Sequence, residues 1–477
     1  MNSLLLNAGK LILIPLLVLL AGCGRALKPE RSVSSNQPPF NSSNEQAAPP
    51  AALPSWFLHA DEQAVDAASQ SVCYLRQLLF LTANIQQAAS FGTNEGAMFG
   101  TVFCDAAARL HKLPLIRHYL WQYDTRLLPG RKADSAAQVV RQALSGSGPL
   151  DYVGTLFKAI GNSRIVMINE NHFDWRHRAF TESLLDSFRA RGFDLLALET
   201  LNHQQDVNSR KFANYYSGFY TRESVFANLV RTAAAKGFTL LAYEDSVNID
   251  TVYTSDSGSY DSREWEQAKN IAAALEKYPG SKLLVHAGYG HISEHKSRIG
   301  RNMSMAELLR VKFGYEAVTI NQTFLDDLSS GLKPVTDFPP GYYLVSKESL
   351  LPLDTALFMQ CDHYIFNTIH HYPGEQLTGP DRGLRTIALA AFPLDSLLRA
   401  SGLQATLEIY RQQELATAFP APCFIKHISP SADLLPAVLA ADDVRIPEQV
   451  YLPPGSYTVL LRSEKGDCYF QRPLVVE

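Results

Sequence analysis

The sequence has no Cys-x-x-Cys pair, so neither a zinc ribbon nor a thioredoxin-type redox motif is supported. It has no Gly-x-Ser-x-Gly, no Gly-x-x-x-x-Gly-Lys-Ser/Thr and no Gly-x-Gly-x-x-Gly. Those absences argue against a serine-hydrolase elbow, a P-loop and a dinucleotide fold. It has no charge excess: 43 Lys and Arg face 47 Asp and Glu, a net charge of −4. That leaves no electrostatic footprint for nucleic acid. No internal repeat is apparent. What remains is ordinary globular composition, 46% hydrophobic and 19% charged over 477 residues. At ~100–200 residues per domain, this length accommodates two to four domains.

The first segment reads as an address. Lys10 is followed by an apolar run from Leu11 to Gly22. That run is short of the ~20 residues a membrane span needs. A basic start, a short apolar stretch and small closing residues describe a secretory signal. Leu20-Ala21-Gly22-Cys23 resembles the bacterial lipobox, whose cleavage leaves the cysteine as a lipidated N-terminus. Residues 1–22 are thus expected to be a signal peptide and Cys23 the lipidation site. The expected location is the bacterial cell envelope, with membrane contact through the lipid anchor. Gly24, where no Asp stands to mark inner-membrane retention, favours the outer membrane. Residues 23–54 are rich in Pro, Ser, Asn, Gln and Ala and read as a disordered tether.

In an oxidising envelope some of the other five cysteines could pair. Cys73 and Cys104, in neighbouring helical segments, are the best candidates. Two of Cys361, Cys423 and Cys468 could form a second bridge.

Residues 55–150 form a helical region by their three-and-four apolar spacing (Val72, Leu75, Leu78, Leu79, then Phe103, Ala107, Leu110), broken at 90–96. From Asp151 short aliphatic runs alternate with helical stretches. The runs are 164–168 (RIVMI), 195–198 (LLAL), 239–243 (TLLAY), 282–286 (KLLVH) and 317–320 (AVTI). The helices fall at about 176–189, 224–236, 263–277 and 304–312, with Gly192, Gly237 and Gly314 at their ends. This pattern predicts an α/β fold, a parallel sheet with flanking helices, over 151–372. Residues 373–477 predict a small β-rich module. Strands are expected at 450–452, 457–462 and 468–476, and short helices at 395–399 and 406–413.

In a parallel sheet, ligands bind beyond the carboxyl ends of the strands. RIVMI is followed by Asn169-Glu170-Asn171-His172, LLAL by Glu199, and TLLAY by Glu244. KLLVH ends in His286, and Ala287-Gly288-Tyr289-Gly290-His291 follows. One such residue has a dull explanation, a cap or an ion pair. Four strand ends delivering ionisable groups to one edge predict a shared cleft. A neutral histidine can take a proton from water near neutral pH while a carboxylate orients it. Clustered His and Glu (Glu170, His172 and His291) could instead hold a divalent metal. Arg178 and Arg263 are candidates to hold an anionic group, with Glu244 and His286 beside them as substrate-binding positions.

Residues 165–200, 263–271 (REWEQAKNI), 284–292 (LVHAGYGHI) and 305–323 resemble the erythromycin esterase-like, ChaN-like superfamily, with the TraB and Tiki proteins as distant relatives. The likeness covers about 151–372. By it, Glu170, His172, Glu199 and His291 match active-site positions, and Arg178, Arg263 and His286 match less secure ones. The family usually has Gly before the first Glu; here stands Asn169. The resemblance implies either a lipid-anchored hydrolase of an ester, lactone or amide, or a non-catalytic haem- or metal-binding lipoprotein. The expected partner is a small-molecule or haem ligand.

Three other features compete. His291-Ile292-Ser293-Glu294-His295 spells the inverzincin string, which requires a helix, whereas here a strand and a Gly-x-Gly turn precede it. His370-His371 could ligate metal, though adjacent histidines near a domain end are more often solvated. Phe212, Tyr215, Tyr216, Phe219 and Tyr220 form either helix packing or a wall for an aromatic or macrocyclic ligand.

Overall fold

A computed structural model describes residues 60–66, 71–88, 93–123, 138–139, 141–144, 152–244, 252–255, 258–294, 303–326, 328, 341–350, 361–367, 384–417, 419–430 and 444–477. The signal segment, Cys23, the tether, His295 and His370-His371 lie outside the described residues.

The alternating segment is a seven-stranded, mostly parallel sheet. Five strands match the expected runs to within two residues: β1 (Ile165–Glu170), β2 (Phe193–Leu198), β3 (Thr239–Ala242), β4 (Lys282–Gly288) and β5 (Val318–Asn321). β6 (Tyr342–Ser346) and β7 (His363–Asn367) complete the order β6-β7-β5-β1-β4-β2-β3. β6 runs antiparallel to β7, and the other pairings are parallel.

The central strands are largely apolar because each of their faces is covered. Ile165 and Met167 of β1 enter one apolar core together with Leu195, Ala197, Leu283 and Val285. Val166 and Ile168 enter the opposite core with Leu196, Leu198 and Leu284. Alternate side chains of one strand feed opposite layers, as the pleat requires. β4 lies between β1 and β2, so their carboxyl ends are neighbours.

The sequence also sets the helix ends. Asp174 accepts a hydrogen bond from the Arg176 N–H and opens α4 (Trp175–Ser183). Glu223 accepts from the Val225 and Phe226 N–H groups and opens α5 (Ser224–Ala235). The helix expected at 263–277 is α6 (Ser262–Lys277). Ser304 opens α7 (Met305–Phe313), and Gly314, left-handed at φ 73°, closes it. The stretch expected as one helix at 176–189 is two, divided at Leu184.

Before the sheet stand α1 (Tyr74–Ala83), α2 (Thr93–Arg109) and α3 (Leu113–Tyr123), numbered ahead of the helices above in chain order. The break expected at 90–96 is shorter, since α2 starts at Thr93 and runs through Gly96. The proposed disulfides are a correction: all five described cysteines are free thiols. Cys73 donates to the Ser463 carbonyl at 3.5 Å, while the Cys361 thiol lies 3.9 Å from the Ile292 carbonyl. Burial pushes the Cys73 thiol up to about 11 and Cys361 up to about 12.

The C-terminal module is β-rich as expected. β8 (Ala405–Arg411), β9 (Phe424–Ile428), β10 (Gly455–Ser463) and β11 (Cys468–Val476) form an antiparallel sheet in the order β9-β8-β10-β11. The short helix expected at 406–413 is instead mostly strand β8. Its period is two: Leu407 and Ile409 enter the module's core. On the other face the Thr406 and Tyr410 hydroxyls donate to Glu408 at 2.7 and 2.9 Å. The module docks on α5 through the buried Arg231–Glu414 pair, 2.6 Å apart.

Burial dictates the thiol chemistry. In the folded chain Cys468, the exposed cysteine, should alkylate fast, and Cys73, Cys104, Cys361 and Cys423 only on unfolding. Mass spectrometry of non-reduced, denatured and alkylated protein should then find all five labelled. A Cys73–Cys104 crosslinked peptide would contradict this arrangement.

Candidate active site

Glu170 ends β1, Glu199 follows β2, Glu244 follows β3, and His286 lies within β4. His291 sits in the 3-10 turn Tyr289–Ile292, which directly follows β4. The turn is no helix, so the inverzincin string is a coincidence of letters. Parallel register sets Glu170 opposite Gly288 and Leu198 opposite His286. The expected residues therefore meet at one edge, in two linked groups.

The first group centres on Glu170, which is 1% exposed. Arg178 donates to both its oxygens, Nε to Oε2 at 2.8 Å and Nη2 to Oε1 at 2.9 Å. His286 Nε2 meets Oε2 at 2.7 Å, and His172 Nδ1 meets Oε1 at 2.8 Å. Burial alone would raise the Glu170 carboxyl, but the Arg178 charge, His286 and the hydrogen bonds together hold it well below the usual carboxylate range. An ionised carboxylate only accepts, so His172 Nδ1 is the donor and Nε2 is the nitrogen left to face Glu199. The His172 ring is fixed from above by Tyr220, stacked at 3.9 Å and 16°. Tyr289 meets it edge-on at 5.1 Å.

The second group centres on Glu199. Its Oε1 takes Arg263 Nη2 at 2.6 Å, and its Oε2 accepts the Gly288 N–H. His291 Nε2 stands 3.5 Å and His172 Nε2 3.8 Å from that same Oε1. Burial would raise Glu199, yet His291, His172 and Arg263 hold it strongly down. His291 Nδ1 pairs with Glu264 Oε1 at 2.7 Å. Burial would lower His291, but Glu264 and Glu199 on its two sides raise it well above 6.5. His291 is thus held in its charged form by the carboxylates on its two sides. Glu264 is the functional residue that sequence reasoning missed. Its position on the first turn of α6, beside Arg263, was the available signal.

Several expected roles change. Arg178 is locked between Glu170 and Glu223, the latter at 3.1 Å, and cannot hold an anionic substrate. Arg263 is spent on Glu199 and Glu244. Glu244 also receives Gln267 Nε2 at 2.7 Å and the Thr200 N–H at 2.9 Å. His286 is fully buried behind Glu170, with Thr181 Oγ1 3.1 Å from its Nδ1. These four position the site rather than face a ligand. Asn169, in the place of the family's Gly, ties the strand ends together. Its Nδ2 donates to the Tyr289 carbonyl at 2.9 Å and its Oδ1 accepts the Gln322 N–H at 2.7 Å. The aromatic cluster divides: Tyr220 serves His172, while Tyr215, Tyr216 and Phe219 pack with the N-terminal helices.

The donor sets do not suit the cofactors considered. Glu170 already takes one guanidinium and two rings, so Glu170, His172 and His291 cannot together ligate a metal without breaking that pairing. A haem on His172 Nε2 would have to enter where the Glu199 carboxylate stands. Asp174, His177 and Asp326 also lie close together. There the His177 Nδ1 accepts the Asn171 N–H at 2.9 Å, which puts the ring proton on Nε2, the atom a metal would need. Burial lowers His177 to about 4 and keeps that ring neutral.

No family model and no curated protein matches the sequence. Among solved structures, the type III effector HopBA1 is similar at 14% identity and TM-score 0.28, covering 47% of this chain and 95% of that one. RRSP, a MARTX toxin effector domain from Vibrio vulnificus, gives 15% and 0.27, covering 62% and 67%. The C-terminal region of Pasteurella multocida toxin, described with a thiol-protease like catalytic triad, gives 12% and 0.26, covering 73% and 53%. At this distance the chemistry has to be argued from the geometry above.

Gly288 lets the two groups approach. A Cβ there would lie 2.2 Å from His172 Cε1 and 2.9 Å from Glu199 Oε2. Gly288→Ala should cost about 1–3 kcal/mol, as overpacking does, read as a lower urea midpoint with unchanged slope. Gly290→Ala, whose Cβ would meet nothing within 4 Å, should leave the midpoint in place.

Proposed function

We propose that this chain is a lipid-anchored envelope hydrolase that activates water against an ester, lactone or amide. The observation that supports it most is the division of labour between two histidines around Glu199. His172 Nε2 and His291 Nε2 face one carboxylate oxygen from 3.8 and 3.5 Å. One ring is a base held in its tautomer by Glu170, and the other is a charged donor held by Glu264.

In this reading His172 Nε2 takes a proton from water as the oxygen attacks the carbonyl carbon. The C–O bond forms and charge moves onto the carbonyl oxygen, where the His291 imidazolium stabilises it. As the tetrahedral centre collapses, the bond from the carbonyl carbon to the leaving oxygen or nitrogen breaks and His291 gives that atom a proton; the proton held by His172 goes to solvent and His291 regains one from it, which restores both rings. Glu170 and Glu199 stay ionised throughout and hold the rings, as the third member of a catalytic triad holds its histidine.

The test is a panel of esters, lactones and amides. His172→Asn should lower turnover ~10²-fold or more, the scale of a lost general base, with the fold intact. Because His291 must be protonated, activity should fall as pH rises through its elevated value, above 6.5. His291→Gln should remove that alkaline limb. His291 also stabilises the fold in the charged form, so that contribution is complete below ~6.5 and is lost as pH rises through the folded value. Wild-type turnover in His172→Asn would overturn the assignment.

The anchor is tested separately. Mass spectrometry of the membrane fraction should find a diacyl-modified Cys23 as the mature N-terminus. Met1 or an unmodified downstream residue there would overturn it.

A further inference from the structure

The hydrogen bonds that orient His172 do not end inside the α/β domain. Arg178 grips Glu170 with two nitrogens and reaches Glu223 with the third, Nη1 to Oε2 at 3.1 Å. The other oxygen of Glu223 meets His111 Nε2 at 2.6 Å. His111 belongs to the N-terminal helical region, in the short link between α2 and α3. It is 4% exposed and holds a left-handed backbone, φ 57°. Histidine is one of the side chains enriched in that region, and the link between α2 and α3 uses it. Leu113, two residues on, packs against Trp175, Ala179 and Val225, at the starts of α4 and α5.

The same region grips the other side of the His172 ring. Tyr220 stacks on that ring and begins the turn Tyr220–Arg222. Tyr74 of α1 donates its hydroxyl to the Arg222 carbonyl at 3.2 Å. The Arg109 guanidinium at the end of α2 lies 5.4 Å from the Phe219 ring centroid.

We infer that His111 is a positioning residue of the site: the N-terminal helical region completes the machinery by fixing Glu223, and through Arg178 and Glu170 the His172 ring. Glu223 has two duties, capping α5 and holding Arg178, and its carboxylate must stand in one orientation for both. Oε1 accepts the Val225 N–H at 2.7 Å and the Ser224 hydroxyl at 3.3 Å, and His111 at 2.6 Å is its nearest donor. Without that donor the carboxylate can rotate toward the helix end, and Arg178 then shifts its hold on Glu170. A shifted Glu170 changes the proton affinity of His172, because a carboxylate hydrogen bond favours the charged ring. The catalytic consequence rests on the hydrolase reading above; the linkage between His111 and His172 does not.

The experiment crosses two variants of the full chain. His111→Phe keeps a ring beside Trp175, 6.2 Å away in the native structure, and removes the donor. His111→Gln keeps a donor and removes the ring. The primary readout is the His172 ring titration by NMR with labelled histidine, assigned with His172→Asn. A positioning role predicts a midpoint shifted by about half a pH unit or more in His111→Phe and near wild type in His111→Gln. A packing role predicts the reverse, and that result would overturn the inference. His111→Asn keeps the left-handed backbone, which Asn tolerates, but is too short to reach Glu223. It should shift the His172 midpoint even if the Phe variant fails to fold, and an unshifted midpoint overturns the inference. With a substrate in hand, kcat should fall tenfold or more in His111→Phe with KM within twofold. If the wild type hydrolyses nothing, the hydrolase reading fails while the titration still decides the linkage.

Discussion

The arrangement depends on one buried charge. Glu170 sits at the end of a central strand, 1% exposed, and a carboxylate there costs several kcal/mol to desolvate. Arg178 offsets that cost with a bidentate grip 2.8–2.9 Å long. Once both are buried, each is indispensable to the other, since removing one strands the other's charge. Because Glu170 stays ionised, it can only accept, and two histidines must turn a nitrogen toward it. The tautomer of His172 and the aim of its Nε2 follow from that constraint, not from anything local to the loop at 171–172. Being held down, Glu170 stabilises the fold above the usual carboxylate range and loses that effect as pH falls through its depressed value.

Glu199 repeats the device in a wetter setting. It also stays ionised, but its partners Arg263 and His291 are partly exposed, with side chains 13% and 11% accessible. The inner carboxylate therefore sets geometry and the outer one sets charge. Glu264 completes the outer set by keeping His291 protonated. Two rings of the same type thus acquire different settings from their neighbours alone: Glu170 fixes the donor nitrogen of His172, while Glu264 and Glu199 favour the charged form of His291.

The strands were legible because burial on both faces writes continuous apolar runs, and the ionisable residues at their ends fell into one site because parallel register aligns carboxyl ends. What the sequence hid is tertiary. Arg178, Arg263, Glu244 and His286 read as ligand-facing because residue type does not reveal which charges are already paired. Strand β8 read as a helix because Thr406, Glu408 and Tyr410 are polar, and only the Glu408–Arg462 pair at 3.2 Å makes a buried polar face sensible. Cys73 and Cys104 looked like a bridge because both lie in helical sequence. Their separation became visible only once Cys73 was seen to face Ser463, 390 residues away.

Glu223 illustrates how such a site comes to depend on a region outside its sheet. As the residue before Ser224 it caps α5, and any short acceptor could serve that role. In the fold it is a joint: its carboxylate accepts from two backbone N–H groups of α5 and from the Ser224 hydroxyl, and also from Arg178 and His111. A shorter Asp at this position would satisfy the helix and miss the guanidinium, so the length of Glu, and not its charge alone, connects the cap to the site. The helical region is then more than packing against the sheet, because its His111 ends the same chain of hydrogen bonds that begins at His172.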